Sequence, residues 1–222
     1  MMELRLAGKN QYNNFFVYWG VLIPFSRHIG DQKLLILEKA INDAQLLADT
    51  SAIICVEIGS YCGYSALGIA RRLRQNDKLI CIECDPNCVK WTKRLLAHAD
   101  ISERVNILQG KIDDQSLNAL QVMLHGEAIH LLFIDHDKAT YLKDLKLIED
   151  WNLLRHGTIV VADNVLSFGA PLDEYLSHVR NPIGPYRSST LHMSTVEYAN
   201  SSDFTDRTDE SLIDGVEVSV FA

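Results

Sequence analysis

The chain has 222 residues, a formal net charge of −8 and a hydrophobic fraction of 47%. This length is enough for one α/β domain with a buried core and short for two. The negative charge argues against a nucleic-acid partner, which would favour a basic surface.

The first apolar run of the chain lies at residues 15–23. It has the length of a signal-peptide core, but Pro24–Arg27 follow it in place of a small-residue cleavage site, and it is too short to span a bilayer. We therefore predict a helix over about residues 11–23 that packs on the domain, and a second helix over 31–48. We therefore expect no stable membrane span and a cytoplasmic location.

The five cysteines all lie between Cys55 and Cys88, and their odd number is not that of a secreted disulfide framework. Cys81, Cys84 and Cys88 have the spacing C-x-x-C-x-x-x-C. No fourth ligand except His98 lies near them, so strand, loop and helix positions explain the spacing better than a metal cluster does. This usage favours a reducing compartment.

From residue 51 onward, buried strands alternate with helices. Strands are predicted at 52–58, 78–82, 105–108, 130–134 and 158–162. Helices are predicted at 64–73, after the Asp85–Pro86 N-cap, and on the apolar face of Leu142, Leu145, Ile148 and Trp151.

Two final strands, 191–198 and 215–221, have only a polar loop at about 199–213 between them, which predicts an antiparallel pair. The whole pattern predicts one domain over residues 1–222, with N-terminal helices over 1–50 that cover the site and a core over 51–222. Its fold class would be α/β, a doubly wound, mainly parallel seven-stranded sheet with an antiparallel C-terminal strand.

In such a sheet, ligands bind beyond the carboxyl ends of the strands. The first strand of the core ends at Gly59, where glycine lets the backbone approach a ligand, and the second ends at Glu83, an acid placed to bind ribose hydroxyls. The loop lacks the G-x-G-x-x-G pattern of pyrophosphate binding. Taken alone, these features fit a dinucleotide site or a solvated Glu83 nearly as well.

Polar residues also follow the next two strands. Asp135 ends one, and Asp163 and Asn164 end the other, so three oxygen ligands suited to Mg²⁺ would lie on neighbouring strands. Capping and turn formation explain the same residues without a metal. Lys138 favours the metal interpretation, because a nearby cation would lower the pKa of its amine and make it a base.

Several segments together resemble the catechol O-methyltransferase family, in that family's order and from about residue 28 to the end. Val56–Ser65 resembles the cofactor loop, and Asp135–Lys138 matches the Asp-His-x-Lys motif. The further matches are Ala162–Val165, Gly169–Pro171, and Val196–Tyr198 followed by Asp214–Gly215. The resemblance implies a Rossmann-like class I methyltransferase that uses S-adenosylmethionine and Mg²⁺.

The resemblance also implies roles for the matching positions. The residues expected to border the cofactor are Ile29, Gly30, Glu57, Gly59, Tyr61, Ser65, Glu83, Cys84, Ile112, Asp135 and His136. Glu83 would bind the ribose, while the methionine end would contact Glu57, Gly59 and Ser65, and the adenine would lie between His136 and Cys84. The expected metal ligands are Asp135, Asp163 and Asn164.

For the acceptor, the resemblance implies that Lys138 is the base and Glu197 binds the second hydroxyl, with Asn164, Phe25 and Phe168 also contacting the substrate. Phe25 and Phe168 replace a tryptophan and a proline of the family's gate and are expected to clamp a ring. Asp137 replaces a second tryptophan, which favours a polar or cationic substrate. Arg27 stands where the family has a methionine near the cofactor sulfur.

The expected function is methyl transfer from S-adenosylmethionine to a hydroxyl of a Mg²⁺-chelated catechol or related phenol. The expected partner is thus a small phenolic molecule; the sequence does not indicate an oligomeric state. One alternative is a methyltransferase fold that binds S-adenosylmethionine but has another acceptor or no turnover. A nicotinamide-dependent Rossmann enzyme is a further alternative, which the missing G-x-G-x-x-G and the antiparallel end count against.

Overall fold

The computed structural model describes residues 15–18, 21–24, 31–166, 172–195 and 213–222. In chain order, the strands and helices are β1 (Phe15–Tyr18), β2 (Val21–Pro24), α1 (Asp31–Leu47), β3 (Ile54–Ile58), α2 (Tyr64–Ala70), β4 (Lys78–Glu83), α3 (Pro86–His98), β5 (Val105–Gln109), α4 (Asp114–Leu124), β6 (Ile129–Ile134), α5 (Tyr141–Asp150), β7 (Leu154–Ala162), α6 (Asp173–Val179), β8 (Tyr186–Thr195) and β9 (Ile213–Phe221). Short 3₁₀ turns lie at Ser102–Arg104 and Lys138–Thr140.

Seven of these strands form one sheet in the order β5-β4-β3-β6-β7-β9-β8. The pairings of β3, β4, β5, β6 and β7 are parallel, whereas β9 runs antiparallel to both β7 and β8. The predicted fold class, with its antiparallel C-terminal strand, is confirmed. The order reverses on either side of β3 and β6, and this topological switch point is where an open α/β sheet binds its ligands.

Side chains of the sheet alternate between two apolar cores because successive strand residues point to opposite faces. On β6, Leu132 and Ile134 pack with α4, α5 and α6, while Leu131 and Phe133 pack with α1, α2 and α3. All six residues of β6 are buried. Burial on both faces explains why this strand is a continuous apolar run in the sequence.

The N-terminal helix predicted over residues 11–23 is wrong for the described part of that range. Residues 15–18 and 21–24 are the paired strands β1 and β2, with Phe15 opposite Pro24 and Tyr18 opposite Val21. A short, continuous apolar run has no periodicity that separates helix from strand. Its aromatic and β-branched residues are compatible with a strand, and the pairing of the two segments decides the outcome.

Helix α1 and the N-cap of α3 agree with the sequence. The side chain of Asp85 accepts a hydrogen bond from the Asn87 N–H at 2.7 Å, and Pro86 occupies the first helical position. Helices α4 and α6 are additions to the predicted pattern. Strand β7 begins at Leu154 rather than residue 158, because a bulge before Ile159 lets the chain join the sheet earlier.

Strand β8 covers residues 186–195, so it begins earlier than the predicted strand 191–198, whose last three residues lie outside the described part of the chain. Strand β9 begins at residue 213, which the sequence assigned to the preceding loop. The boundary at residue 50 between covering segment and core stays a prediction. In the described ranges, no helix combines the length and the apolar character needed to cross a bilayer.

Candidate functional site

The candidate site lies at the carboxyl ends of β3, β6 and β7, where the registers place their last residues side by side. Ile58 pairs with Ile134, and Ile134 pairs with Ala162. Hydrogen bonds extend this ladder by one residue, from the Asp135 N–H to the Ile58 carbonyl at 2.9 Å and from the Asp163 N–H to the Ile134 carbonyl at 3.0 Å. The polar residues that end these strands are therefore neighbours, as predicted.

The loop after β3 begins with a close approach between two backbones. Gly59 has φ +91°, and a Cβ at this position would lie 2.3 Å from the carbonyl oxygen of Asp135. No side chain fits there, and the left-handed conformation is one that glycine adopts at low cost. Gly59 thus brings the loop against the β6 end, where the resemblance places the cofactor.

Glu83 joins that loop to the segment after β4 through its two carboxylate oxygens. Its Oε2 accepts the Tyr61 N–H and its Oε1 accepts the Asp85 N–H, each at 2.8 Å. The side chain is 7% exposed. A carboxylate held by two backbone donors keeps further lone pairs for ligand hydroxyls, so Glu83 is arranged as the expected ribose ligand would be.

Glu57, one residue before the end of β3, is wholly buried. Burial raises the pKa of this carboxyl from 4.5 to about 7, although hydrogen bonds from Ser65 and Cys81 act to lower it. The Cys81 thiol lies 3.2 Å from Oε2, while Oε1 is buried without a hydrogen-bond partner within the described residues. An unpartnered buried carboxylate oxygen is costly and marks a place for a cationic or hydrogen-bonding ligand group.

The residues expected near the adenine differ in exposure. Cys84 is exposed, whereas Ile112 is buried in the core beside α4. His136 places Nε2 2.7 Å from Asp144 Oδ2, and its buried Nδ1 has no hydrogen-bond partner in the described chain. Asp144 therefore orients the ring through Nε2, and Nδ1 is the ring nitrogen left for another hydrogen-bond partner.

Lys138 and Asp135 form the expected pair at the end of β6. Lys138 Nζ lies 2.9 Å from Asp135 Oδ1 and 2.8 Å from the hydroxyl of Tyr141. Both Lys138 and Asp135 are partly exposed, at 17% and 25% of the side chain. The amine thus lies at the strand ends where an open α/β sheet binds its ligands.

Asp163 and Asn164 belong to a second, more deeply buried network. Lys33 Nζ lies 2.8 Å from Asp163 Oδ1 and 2.7 Å from Asp214 Oδ2. The Asn164 Nδ2 donates to the same Asp214 oxygen at 2.6 Å. Because the NH₂ group of Asn164 is directed at Asp214, its amide oxygen is the end left for another partner.

Asp214 is the centre of this network and lies at the start of β9, which runs antiparallel and so begins at the same sheet edge. Burial acts to raise its pKa, but the hydrogen bond and charge of Lys33, the Gly215 N–H and Asn164 together hold that pKa below its usual value. Asp214 is therefore ionised and balances the buried Lys33 ammonium.

The donor set at this edge suits a hard cation in chemistry, with two carboxylates and one amide oxygen. Among the described residues, however, no three His, Cys, Asp or Glu side chains are grouped as a metal site would require. The predicted ligand set contains only two aspartates, Asp135 and Asp163, and its third ligand is the amide of Asn164. The Mg²⁺ site stays a prediction that the donor chemistry fits.

Five predicted site residues lie outside the described part of the chain: Phe25, Ile29, Gly30, Phe168 and Glu197. Arg27 also lies outside it. Asp137, expected to add charge for the substrate, is exposed, and its side chain accepts the Ala139 N–H at 3.2 Å. This residue caps the 3₁₀ turn that carries Lys138, so it has a structural role independent of any substrate.

Lys33 and Tyr141 were not among the residues predicted from the sequence, and Asp214 was matched there only as part of a family segment without a role in the site. A pattern did exist for Lys33, which precedes the buried residues Leu37 and Ala44 on one stripe of α1 and is itself 1% exposed. A lysine on the apolar face of a helix implies a buried partner. The partner, Asp214, is separated from it by 181 residues and cannot be found from local pattern.

Comparison with known proteins agrees with this architecture. Residues 36–181 match the family model described as O-methyltransferase. Catechol O-methyltransferase of Bos taurus is 32% identical over 180 residues, 81% of this chain and 62% of the relative, so the chain spans less than two thirds of that protein. Catechol O-methyltransferase of Sus scrofa is 31% identical over 195 residues, 87% of this chain and 92% of the relative.

Among solved structures, the O-methyltransferase TomG of Streptomyces achromogenes, in complex with S-adenosylmethionine, shares the fold with a TM-score of 0.61. The alignment covers 88% of this chain and 82% of that chain at 18% identity. At this identity the likeness concerns the fold alone.

Proposed function

Because this chain belongs to the O-methyltransferase family, we propose that it transfers the methyl group of S-adenosylmethionine to a hydroxyl of a catechol or catechol-like phenol chelated to Mg²⁺. The observation that carries the proposal is the pairing of Lys138 with Asp135 at the end of β6, next to Asp163 and Asn164 at the end of β7. The proposed base and the proposed metal ligands thus lie at one sheet edge.

The cofactor end of the proposal rests on the residues that follow β3 and β4. S-adenosylmethionine would supply a methyl group on a sulfonium centre, which makes that methyl electrophilic. Glu57 Oε1 is a buried acceptor suited to the ammonium of its methionine portion, and Glu83 is suited to the ribose hydroxyls. Gly59 leaves room for a ligand to lie against the backbone of the β6 end.

The part of the proposal that concerns Mg²⁺ rests on the chemistry of the oxygen atoms that would bind it. Mg²⁺ would supply positive charge that lowers the pKa of a chelated hydroxyl. Asp135, Asp163 and Asn164 would hold it, with Asn164 presenting its oxygen because Asp214 takes its NH₂ group. Lys33 fixes Asp163 from the protein interior.

Lys138 would then accept the proton of the hydroxyl to be methylated. Its Nζ is held 2.9 Å from Asp135 Oδ1, and the buried strand ends would keep the reacting groups in a fixed relationship, which is the larger part of such catalysis. Glu197 as partner of the second hydroxyl, Phe25 and Phe168 as ring contacts, and Ile29 and Gly30 at the cofactor are proposed from the family resemblance. The acceptor is a small phenolic molecule, and a cytoplasmic location is part of the same proposal.

The test is methyl transfer from labelled S-adenosylmethionine to a panel of catechols, with Mg²⁺ or with chelator. Lys138→Met should lower kcat by roughly 100-fold or more, which is the usual contribution of a positioned base. Lys143→Met is the matched control, because Lys143 is exposed on α5 nearby. Metal-independent turnover would reject the Mg²⁺ role. Cofactor binding with no turnover of any catechol would favour another acceptor or a lost activity.

A further inference from the structure

Tyr141, the first residue of α5, has a hydroxyl group at the meeting point of the two strand ends that carry the site. The side chain is wholly buried. Its hydroxyl lies 2.8 Å from Lys138 Nζ and 3.1 Å from each of two carbonyl oxygens, those of Ile134 and Asp163. These carbonyls belong to the last residue of β6 and the residue that follows β7.

The hydroxyl can form hydrogen bonds with all three groups at once. A phenol donates one hydrogen, here shared between the two carbonyls, and accepts through its lone pairs, here from an N–H of Lys138. Burial, and then the charges of Asp135 and Asp163, raise the pKa of Tyr141 well above its usual value, so the group stays a neutral phenol. Its donor role is therefore constant.

The ring of Tyr141 has two neighbours from the same segment of the chain. Lys138 Nζ lies 5.0 Å from the ring centroid, and the His136 ring stacks on it at 5.1 Å with an interplanar angle of 20°. The Tyr141 side chain therefore contacts both His136 and Lys138. A free lysine side chain loses conformational entropy when it is held in one place.

We propose that Tyr141 is a positioning residue for methyl transfer, whose hydroxyl holds the Lys138 amine at the joined ends of β6 and β7. This inference rests on the proposed function. In the described part of the chain, the Lys138 amine has hydrogen bonds to Asp135 and Tyr141. Asp135 is also a candidate metal ligand, whereas Tyr141 is assigned no ligand contact. The same hydroxyl links the amine to the backbone from which Asp135 and Asp163 project.

The kinetic test compares Tyr141→Phe with Tyr175→Phe. Tyr175 is also buried and lies edge-on to Tyr141 at 5.7 Å, but its hydroxyl has no hydrogen-bond partner in the described part of the protein. Tyr141→Phe should lower kcat by about 10- to 100-fold and leave KM for S-adenosylmethionine within about twofold. Tyr175→Phe should change neither. Equal effects of the two substitutions would overturn the inference.

A double-mutant cycle separates positioning from general support of the sheet. In a Lys138→Met background, Tyr141→Phe should cause no further loss of kcat, because the amine that it positions is gone. A further loss of about tenfold in that background would assign the effect to the Ile134 and Asp163 carbonyls and would overturn the inference.

A second cycle needs neither cofactor nor metal. Urea unfolding of the wild type, Tyr141→Phe, Lys138→Met and the double variant should reveal a coupling of about tenfold in the unfolding equilibrium constant, as expected of one hydrogen bond to a charged group. No coupling would overturn the inference even if the wild type is active. A wild type that turns over no acceptor would overturn the proposed function, while the coupling still decides whether Tyr141 holds the amine.

Discussion

Lys33 on α1 forms a buried ion pair with Asp163 at the end of β7, with Nζ 2.8 Å from Oδ1 and each side chain 1% exposed. The same amine lies 2.7 Å from Asp214 at the start of β9. One lysine therefore joins the helix that precedes the core, the strand end that carries two candidate metal ligands, and the antiparallel strand.

The first prediction concerns the stability that this lysine provides. Lys33→Met should lower the free energy of unfolding by about 3–5 kcal/mol, because it leaves Asp163 and Asp214 buried without that cation. Urea denaturation of the metal-free protein measures the change. Lys39→Met is the control, since Lys39 pairs with Asp43 on the exposed side of the same helix and should change stability by about 0.5 kcal/mol or less.

Addition of Mg²⁺ extends this first prediction to the proposed metal. A divalent cation would restore positive charge beside Asp163, so it should raise the stability of Lys33→Met more than that of the wild type. Equal Mg²⁺ effects on both proteins would count against a metal at Asp163.

The second prediction concerns the orientation of Asn164. Asp214→Ala removes the acceptor that holds the Asn164 NH₂ group at 2.6 Å and should weaken Mn²⁺ binding by about 10- to 100-fold, the usual effect of losing a partner of a metal ligand. Calorimetric titration with Mn²⁺ as the probe measures it. Asp43→Ala, an exposed acid on α1, should leave the affinity unchanged. An unaltered affinity in Asp214→Ala would remove Asn164 from the proposed site.

The third prediction follows from the raised pKa of Glu57. Between its unfolded value of 4.5 and its folded value of about 7, the folded protein retains a proton that the unfolded chain has released. Stability should therefore fall as the pH rises through this window. Glu57→Gln cannot ionise, so its advantage over the wild type should grow to roughly 3 kcal/mol above the upper pKa.

Urea unfolding of the cofactor-free protein across this pH range tests the effect. Parallel stability curves for the wild type and Glu57→Gln would show that Glu57 is ionised throughout. In the proposed function, the ionised form is the one that receives the cofactor ammonium. Binding of S-adenosylmethionine to the wild type should then tighten as pH rises toward the upper pKa, and Glu57→Gln should lack this dependence.

The fourth prediction compares two glycines that both have positive φ. Gly59→Ala would place a Cβ 2.3 Å from the Asp135 carbonyl, whereas a Cβ at Gly126 would have no atom within 4 Å. Gly126→Ala should thus cost only the conformational term, about 1 kcal/mol. Gly59→Ala should cost at least about 2 kcal/mol more, because the β3 and β6 ends must separate. Thermal unfolding measures both, and similar losses would show that the loop moves freely.

Local sequence pattern determined much of the sheet and its edge. The strands β3, β4 and β6 are buried over nearly their whole length, so each is a mainly apolar run whatever its neighbours are. Polar residues such as Asp135 and Asp163 come where those runs stop, and parallel strands place such ends on one edge. The Asp85–Pro86 cap is likewise a property of a few adjacent residues.

Tertiary structure alone decided the features that depend on distant partners. The apolar run at residues 15–24 fits a helix or a strand, and its pairing of Phe15 with Pro24 settles which one forms. The burial of Lys33 requires Asp214, which is 181 residues away, and Tyr141 acquires its place only when β6 and β7 lie side by side. Ion pairs and hydrogen bonds of this kind are short-ranged in space and have no fixed separation along the chain, so no local pattern encodes them.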